Sequence, residues 1–373
     1  MAGNGRGVKQ GMSRVFIIAE AGVNHNGDLE TAMRLVDAAA AAGADAVKFQ
    51  TFKAEKLVTQ TAAKADYQKH TTDASESQLD MLRKLELKYE FHLLLRDYCR
   101  SRAIEFLSTA FDIDSLRFLV DEVGVARLKI PSGEITNGPF LLAHAETGKD
   151  IIVSTGMATM GEVETALGVL AFGYLGWSQP GLARFREAYA SAQGQSVLRQ
   201  KVTLLHCTSE YPTPPEHAHL RAMDTLAQAF GLPAGYSDHT EGLAVPIAAA
   251  ARGAVLIEKH FTLDRSLKGP DHQVSLEPDE LKQMVEAVRV VEHALGSPLK
   301  VPQPVELKTR DVARKSLVAA EVIAAGDSFS VENLACKRPG TGLSPMEYWR
   351  LLGVVSPQSY QVDDLIAGGR EPR

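Results

Sequence analysis

Gly235-Tyr-Ser-Asp-His-Thr240 and Ile257-Glu-Lys-His-Phe-Thr262 are the two stretches that decide the fold of this sequence. Each continues a short apolar run typical of a β-strand and contains a histidine, His239 in the first and His260 in the second. The interval between the histidines has room for a turn, one helix and a second strand. Neighbouring parallel strands lie about 4.8 Å apart, so imidazoles at their matching ends can face one ion. Two unrelated histidines at strand ends are the alternative interpretation of these segments alone.

Six further apolar runs precede these two, and helical patterns separate them. Eight strand–helix alternations predict an α/β fold, a closed (β/α)₈ TIM barrel, with an open doubly wound sheet as the alternative. Ser75–Ser101 is predicted to be one long charged helix, and Gly173–Gln200 an extended, partly helical excursion before the sixth strand. The predicted strands are Val15–Glu20, Ala46–Gln50, Glu105–Thr109, Ala126–Ile130, Ile151–Ser154, Val202–His206, Ala234–Ser237 and Val255–Glu258.

The composition changes on both sides of the predicted barrel, residues 15–295. Residues 1–14 are polar, basic and glycine-rich, which predicts a disordered tail. Residues 296–311 begin with a proline-rich stretch and are interpreted as a semi-rigid linker. Residues 312–373 alternate short β-type runs with turns, which predicts a small β-rich domain.

The overall composition excludes some classes of function. With 45% hydrophobic and 23% charged residues, the 373-residue chain is typical of a globular protein. A net charge of −6 argues against a nucleic-acid partner and against binding to an anionic membrane. Three cysteines without CxxC spacing fit a reducing compartment, and no apolar run is long enough for a membrane span. A cytoplasmic location is therefore expected.

Polar residues collect at the predicted carboxyl ends of the strands, which form the active face of such barrels. Lys48, Lys129 and Lys259 would create a positive basin within a negatively charged protein. Neighbouring hydroxyl groups suit phosphate or carboxylate oxygens; they belong to Thr109, Ser132, Ser154 and Thr155. A salt-bridged structural role is the alternative for any one lysine, but the set predicts an anionic substrate.

Carboxylates and histidines at the same strand ends suggest catalysis. Glu134 follows a Ser-Gly turn near the lysines and is the first candidate for proton transfer, with Glu20 the second. A structural ion pair is the alternative for either carboxylate. His239 and His260 supply only two imidazoles, which leaves positions for water and substrate oxygens on a Mn²⁺ or Mg²⁺ ion. No GxGxxG or GxxxxGK[ST] motif supports nucleotide binding.

Ordered motifs across residues 15–360 resemble the sialic acid synthase family. The C-terminal region, including Lys337–Gly342, is similar to the antifreeze-like (SAF, β-clip) domain of that family. The motifs are Ile17–Gly27, Lys48–Thr51, Lys129–Asn137, Ser154–Met157, His206–Pro212, Ser237–Thr240, Glu258–Phe261 and Gly269–His272. The resemblance implies condensation of phosphoenolpyruvate with an N-acetylated mannosamine-type sugar, giving a nine-carbon α-keto acid and phosphate by C–O cleavage. It also implies a divalent metal on His239 and His260, usually Mn²⁺, with Mg²⁺ or Co²⁺ as alternatives.

The resemblance further implies a role for each matching residue. Glu134 would handle the proton, with Glu20 and Gln50 near the reacting centre. Tyr211 and Asp271 would bind the amino sugar. Arg338 would reach the N-acetyl group of the sugar from the partner subunit of a domain-swapped homodimer. The residues implied to hold phosphoenolpyruvate are Lys48, Thr109, Lys129, Ser132, Ser154 and Ser209.

Several activities fit this resemblance. N-acetylneuraminate synthase is the first expectation, and N,N'-diacetyllegionaminate synthase, which takes 2,4-diacetamido-2,4,6-trideoxymannose, is the alternative. The loop Lys53–Lys69 is expected to decide between the two sugars. A non-catalytic carbohydrate-binding barrel would lack the acid/base and metal set, yet Glu134 and both histidines are present. A synthase for phosphorylated aldoses would need a second arginine-rich phosphate site, which the strand ends do not offer.

Overall fold

The computed structural model describes residues 14–64, 68, 72–73 and 75–367. The chain divides into two compact units, Met1–Gly296 and Ser297–Arg373. Most of the predicted tail, and the part of the loop Lys53–Lys69 that contains Ala65, Asp66, Tyr67 and Lys69, lie outside the described residues. In the described chain no helix has the length and apolar character needed to cross a bilayer.

The first unit confirms the predicted (β/α)₈ barrel. Its eight described strands are all parallel, and β1 pairs with both β2 and β8 to close the sheet. In this register Glu20 lies opposite Lys48 on one side and His260 on the other. The strands are β1 Phe16–Gly22, β2 Ala46–Thr51, β3 Glu105–Ala110, β4 Arg127–Ile130, β5 Asp150–Ser154, β6 Val202–His206, β7 Ala234–Asp238 and β8 Leu256–His260.

One layer of apolar side chains fills the barrel interior below the site. Successive side chains of a strand point to opposite faces, so the residues two positions further along also point inward. Those next inward positions are polar on most strands and include Glu20, Lys48, Thr109, Ser154 and Glu258. Along the strands, the inward-facing side chains thus change within two residues from an apolar layer, which we call the plug, to a polar layer, which we call the floor. The plug consists of Ile18, Ala46, Leu107, Ile152, Leu205 and Leu256.

The helices of the first unit surround the barrel. The first helix illustrates how the sequence sets their ends: the Asp28 carboxylate accepts from the Thr31 N–H, and Gly43 terminates the helix at φ 82°. The helices are α1 Leu29–Ala42, α2 Ala54–Leu57, α3 Gln78–Leu85, α4 Tyr89–Ser101, α5 Ile113–Arg117, α6 Gly138–Glu146, α7 Met160–Tyr174, α8 Leu182–Ala190, α9 Ala192–Lys201, α10 Arg221–Phe230, α11 Ala244–Ala251 and α12 Pro278–Leu295.

The predicted single helix Ser75–Ser101 is wrong, because two helices, α3 and α4, occupy this range. Between them the Glu86 carboxylate accepts from Lys53 Nζ at 2.6 Å and from the Ala54 N–H at 3.1 Å. Leu87, the next residue, is buried. These tertiary contacts break the helix at a point where the local pattern would allow it to continue. The excursion Gly173–Gln200 contains two helices, α8 and α9.

The second unit contains a small antiparallel sheet, which confirms its β-rich character. Strands β9 Ser316–Ala319 and β10 Leu334–Lys337 pair, and the helices α13 Leu307–Ala313 and α14 Tyr348–Leu351 accompany them. Its own apolar core consists of Leu317, Ala319, Ile323, Phe329, Leu334, Leu351, Tyr360 and Ile366. The unit begins at Ser297, so the linker expected at residues 296–311 falls almost entirely within it.

Candidate active site

A cavity of about 430 Å³ opens at the carboxyl ends of the barrel strands. Twelve of the fourteen residues assigned to the site from the sequence line it; Glu134 does not, and Arg338 belongs to the second unit. Residues far apart in the chain therefore line one cavity. The twelve are Glu20, Lys48, Gln50, Thr109, Lys129, Ser132, Ser154, Ser209, Tyr211, His239, His260 and Asp271.

Four buried charges form the floor of this cavity. Lys48 Nζ lies 2.8 Å from Glu20 Oε2 and 3.6 Å from Glu258 Oε2. Lys129 Nζ donates to both oxygens of Glu258, at 2.8 and 2.9 Å. Buried ions persist when they are paired, since an unpaired charge would cost several kcal/mol. Two ammonium groups and two carboxylates thus balance each other at the bottom of the site.

The balance of burial and pairing differs between the two carboxyl groups of the floor. Burial raises the pKa of Glu20 to about 7, although Lys48 opposes the shift. Burial also disfavours ionisation of Glu258, but Lys129 and Lys48 outweigh it and hold the pKa of this carboxyl well below its usual range. Near neutral pH Glu258 therefore stays ionised, whereas Glu20 can bind or release a proton. A pair of carboxyls with separated pKa values is typical of acid/base sites.

Glu258 has a central place that the sequence analysis did not assign to it. Besides both lysines, the Ser237 hydroxyl donates to its Oε1 at 2.9 Å. The sequence does contain a signal for this role. Glu258 precedes His260 by two residues, and side chains two residues apart in a strand point to the same face.

Lys259 does not belong to the positive basin, so that part of the prediction is wrong. It follows Glu258 in β8 and consequently points away from the cavity. Its ammonium donates to Asp238 Oδ2 at 2.6 Å and to the Thr240 carbonyl, and its side chain is fully buried. Thr155 is also engaged elsewhere, because its hydroxyl donates to the Leu205 carbonyl at 2.9 Å.

The two strand-end histidines face each other across the cavity, with ring centroids 5.7 Å apart. His239 Nδ1 donates to the Thr208 carbonyl at 2.6 Å, which leaves Nε2 with its lone pair. His260 Nδ1 is buried and has no hydrogen-bond partner among the described residues. Burial lowers the pKa of both rings, so both are neutral, the form that binds metals. This arrangement fits a divalent cation.

Acidic oxygens converge beside the histidine pair. A Cβ placed on Gly22 would lie within 3.5 Å of Glu20 Oε1, Asp271 Oδ2 and His260 Cε1. Burial raises the pKa of Asp271 to about 6. No group of three or more His, Cys, Asp or Glu in the described chain is arranged to hold a metal ion. Two imidazoles alone leave positions on a cation for oxygens of water or substrate.

Short polar side chains lie at the carboxyl ends of β4 and β5. The Gly156 N–H donates to Ser132 Oγ at 3.0 Å, and Ser132 Oγ lies 3.2 Å from Cys207 Sγ. The buried Ser154 hydroxyl finds no partner in the described part of the chain. Together with Lys48 and Lys129, this hydroxyl can bind the oxygens of an anion.

Glu134 and Arg338 occupy other positions. Glu134 ends a 3₁₀ turn and is partly exposed, and its Oε2 accepts from Asn137 Nδ2 at 2.6 Å. Arg338 belongs to the second unit, where its Nε donates to the Ala313 carbonyl at 3.0 Å. Their roles remain predictions.

Apolar side chains form one side of the cavity, a feature that the sequence analysis missed. We call them the apolar wall; they come from the β1–α1 loop, from α2, Val58 and α3, and from the residue after β3. The wall consists of Val23, Leu57, Val58, Met81, Leu82, Leu85 and Phe111. Because these positions are separated in the sequence, only the folded chain brings them together.

The fold and the site define a barrel enzyme with an anion-binding floor, a proton-transferring carboxyl and an open pair of metal-binding histidines. The chain belongs to the NeuB family, whose model matches residues 35–300. It is accordingly a phosphoenolpyruvate-dependent synthase of sialic-acid-type sugars and forms a carbon–carbon bond.

Individual relatives match nearly the whole chain. The chain is 46% identical to N,N'-diacetyllegionaminic acid synthase of Campylobacter jejuni over 355 residues, 95% of this chain and 99% of the relative. It is 47% identical to the synthase of that name from Legionella pneumophila over 338 residues, 91% and 89% of the two chains. The crystal structure of an N-acetylneuraminic acid synthetase from Leptospira borgpetersenii matches with a TM-score of 0.65 and 35% identity, covering 79% of this chain and 90% of that one.

Proposed function

We propose that this protein is an N,N'-diacetyllegionaminate synthase. It condenses phosphoenolpyruvate with 2,4-diacetamido-2,4,6-trideoxymannose and releases phosphate by C–O cleavage. The observation that carries the proposal is the identity of 46% and 47% to two synthases of this product, against 35% to the N-acetylneuraminic acid synthetase of known structure. This replaces N-acetylneuraminate, the first expectation from the sequence, with the alternative.

The floor of the cavity supports the binding of phosphoenolpyruvate. Lys48 and Lys129 supply two buried ammonium groups, and Thr109 accepts from Lys48 Nζ at 3.0 Å, which fixes the direction of that side chain. Ser132, Ser154 and Ser209 add hydroxyls for the phosphate and carboxylate oxygens. Because Glu20 and Glu258 balance the lysines beforehand, the site is stable before the anion arrives.

His239 and His260 would hold the divalent cation, Mn²⁺ by resemblance with Mg²⁺ or Co²⁺ as alternatives. When bound, the ion would polarise the aldehyde of the open-chain sugar. The Thr208 carbonyl holds His239 in the tautomer that presents Nε2, and the Tyr211 ring lies 4.2 Å from the His239 ring. These contacts orient the His239 imidazole before any ion binds.

Proton transfer is assigned to the carboxyls at the cavity. Carbon 3 of phosphoenolpyruvate forms the new bond to the aldehyde carbon, whose oxygen takes up a proton. Water then adds at carbon 2 and loses one proton. The resulting hydroxyl loses the second proton as the bond from carbon 2 to the phosphate oxygen breaks, so that carbon 2 becomes the keto carbon and inorganic phosphate leaves with the bonding electron pair. The pKa of Glu20, raised to about 7, supports the assignment of Glu20 as the base that takes the proton from that water. The assignment of a proton-handling role to Glu134 remains a second prediction.

Binding of the amino sugar is proposed to involve Tyr211 and Asp271, and Arg338 from the partner subunit of a homodimer. Tyr211 and Asp271 both line the cavity, beside the histidine pair. The contribution of Arg338 and the domain-swapped homodimer rest on the family resemblance.

The test is phosphate release from phosphoenolpyruvate in the presence of Mn²⁺, with each sugar offered separately. We expect kcat/KM for 2,4-diacetamido-2,4,6-trideoxymannose to exceed that for N-acetylmannosamine. A preference for N-acetylmannosamine would identify an N-acetylneuraminate synthase instead. If neither sugar supports phosphate release, the proposal is overturned.

A further inference from the structure

We propose that the apolar wall receives the deoxygenated end of the acceptor sugar, so that the enzyme selects a methyl group over a hydroxymethyl group at carbon 6. The inference rests on the proposed function and assigns its sugar specificity to named residues, with Leu82 and Val58 as the positions to test. It concerns the side of the cavity that takes no part in binding phosphoenolpyruvate or the cation.

Six of the seven wall residues, all except Val58, belong to an apolar cluster separate from the main core. Val23, Met81 and Leu85 are buried and form this cluster with Phe52. Leu57, Leu82 and Phe111 pack against it while remaining half-buried, so part of each side chain still faces the cavity. Removal of apolar cavity surface from water by a ligand is favourable in proportion to the area removed.

The wall is held in place before a sugar binds. The Glu86 carboxylate accepts from Lys53 Nζ and the Ala54 N–H, which joins the end of α3 to the start of α2. Arg83 Nε donates to Glu55 Oε1 at 2.8 Å, a second link between these helices. Phe52 and Phe111 pack edge to face with centroids 6.2 Å apart. A preformed surface loses little conformational entropy on binding and can discriminate between similar ligands.

The chemistry of the reaction sets the direction of the sugar. Its aldehyde carbon must reach carbon 3 of phosphoenolpyruvate over the lysine floor, beside His239 and His260. The opposite end therefore extends away from the strand ends. The charged residues that line the described cavity all lie at strand ends or in the segment after β8: Glu20, Lys48, Lys129, Glu258 and Asp271. The seven wall side chains carry no nitrogen or oxygen atom that could hydrogen-bond a terminal hydroxyl, whereas the amides of Gln68 and Gln78, from the same segment, also line the cavity.

The two acceptor sugars differ at that end. N-acetylmannosamine carries hydroxyls at carbons 4 and 6, whereas the trideoxy sugar carries an acetamido group and a methyl group. A hydroxyl pressed against the wall would lose its hydrogen bonds to water, while a methyl group would gain from burial. The amides of Gln50 and Gln78, at the polar margin of the cavity, suit the 4-acetamido group.

Four acceptor sugars separate the two contributions. They combine a hydroxyl or an acetamido group at carbon 4 with a methyl or a hydroxymethyl group at carbon 6. For each carbon 4 form we expect the methyl sugar to have a kcat/KM about 10-fold to 100-fold above that of its hydroxymethyl counterpart, since apolar pockets discriminate over this range.

Two variants place a polar group in the wall. Leu82→Gln and Val58→Thr should each reduce the carbon 6 preference about tenfold, and kcat/KM with hydroxymethyl sugars should fall less than with methyl sugars. Val58→Thr is nearly isosteric, so it keeps the test available if Leu82→Gln folds poorly. Leu94→Gln is the matched control, since Leu94 lies on α4, is 54% exposed and does not line the cavity; its preference should equal that of the parent.

The outcomes separate this inference from the proposed function. No carbon 6 preference in the parent enzyme, or an unchanged preference in both variants, overturns the role of the wall. Turnover only of sugars with a hydroxyl at carbon 4, with the carbon 6 preference retained and sensitive to Leu82→Gln, overturns the proposed function and leaves the wall's selectivity established. Turnover of none of the four sugars overturns both.

Discussion

At the scale of single residues, adjacent side chains of β8 face opposite sides of the sheet. Glu258 and His260 point into the cavity, and Lys259 between them is buried outside it against Asp238. The sequence shows that polar residues collect here, but a strand end alone does not reveal which neighbour faces inward. Once His260 is taken as facing inward, the two-residue period assigns Glu258 to the site and removes Lys259 from it.

Any side chain at position 156 is predicted to displace the hydroxyls packed against Gly156. An added Cβ would lie 2.8 Å from Ser132 Oγ and still closer to Ser209 Oγ. Gly156→Ala should displace these hydroxyls and raise KM for phosphoenolpyruvate about 10-fold to 100-fold, since small misplacements of binding groups have large effects. The control is Gly138→Ala, where nothing lies within 4 Å of the added Cβ. An unchanged KM in Gly156→Ala would show that these hydroxyls do not bind the anion.

His239→Ala is predicted to remove the metal site and leave the fold intact. One imidazole should not retain the ion, so Mn²⁺ affinity measured by calorimetry and kcat/KM should each fall by at least about 100-fold. His206→Ala is the control, because the His206 ring is bound to the Ala218 carbonyl and does not line the cavity. Full activity of His239→Ala after chelation would contradict the metal assignment.

At the scale of elements, the strands were predictable and one helix was not. Short apolar runs bounded by turns identified all eight barrel strands, because burial on both faces leaves little freedom in their composition. The break between α3 and α4 depends on Glu86 reaching Lys53 and Ala54, residues distant in the sequence. The apolar wall was missed for the same reason.

Gly235 in β7 is predicted to set the spacing between β7 and β8. An added Cβ would lie 2.8 Å from Leu205 Cδ2 and closer still to the Leu256 carbonyl oxygen. Gly235→Ala should lower the free energy of unfolding by about 1–3 kcal/mol, because overpacking forces backbone shifts. Gly161→Ala is the control, since it lies in α7 with nothing within 4 Å of the new Cβ and should stabilise the helix by roughly 0.5–1 kcal/mol. Equal stability of both variants would refute the packing argument, and urea denaturation measures it.

At the scale of the whole molecule, buried histidines link stability to pH. Burial lowers the pKa of His144 to about 4 and that of His25 to about 3, while the unfolded chain titrates near its ordinary value. Their contribution is therefore complete above pH ~6.5 and is lost as the pH falls toward the folded-state values. For His144 the loss between pH 7.5 and 5 amounts to about 2 kcal/mol.

His144→Asn should reduce this acid sensitivity. Asparagine can keep the hydrogen bond that His144 Nδ1 makes to the Phe140 carbonyl, but it does not titrate. The decrease in the free energy of unfolding between pH 7.5 and pH 5 should be about 2 kcal/mol smaller than in the parent. His293→Asn, at an exposed position, should leave the decrease unchanged. An unaltered pH dependence in His144→Asn would be the contrary result.

The proposed exchange of Arg338 between subunits predicts complementation. Arg338→Ala and His239→Ala should each be weakly active alone. Their coexpression should restore about a quarter of the parent activity, because half of a random dimer population is mixed and each mixed dimer has one intact site. If each chain used its own Arg338, coexpression would restore no activity. The variant that carries both Arg338→Ala and His239→Ala serves as the baseline.

The apolar wall and the charged floor come from different parts of the chain. Most of the wall belongs to the segment between β2 and β3, whereas the floor belongs to the strand ends themselves. Contact with the far end of the sugar is thus physically separate from the residues that carry out the reaction. A lineage of such barrels could diversify the sugars it builds by revising a single connecting segment, without disturbing the machinery that joins the carbons.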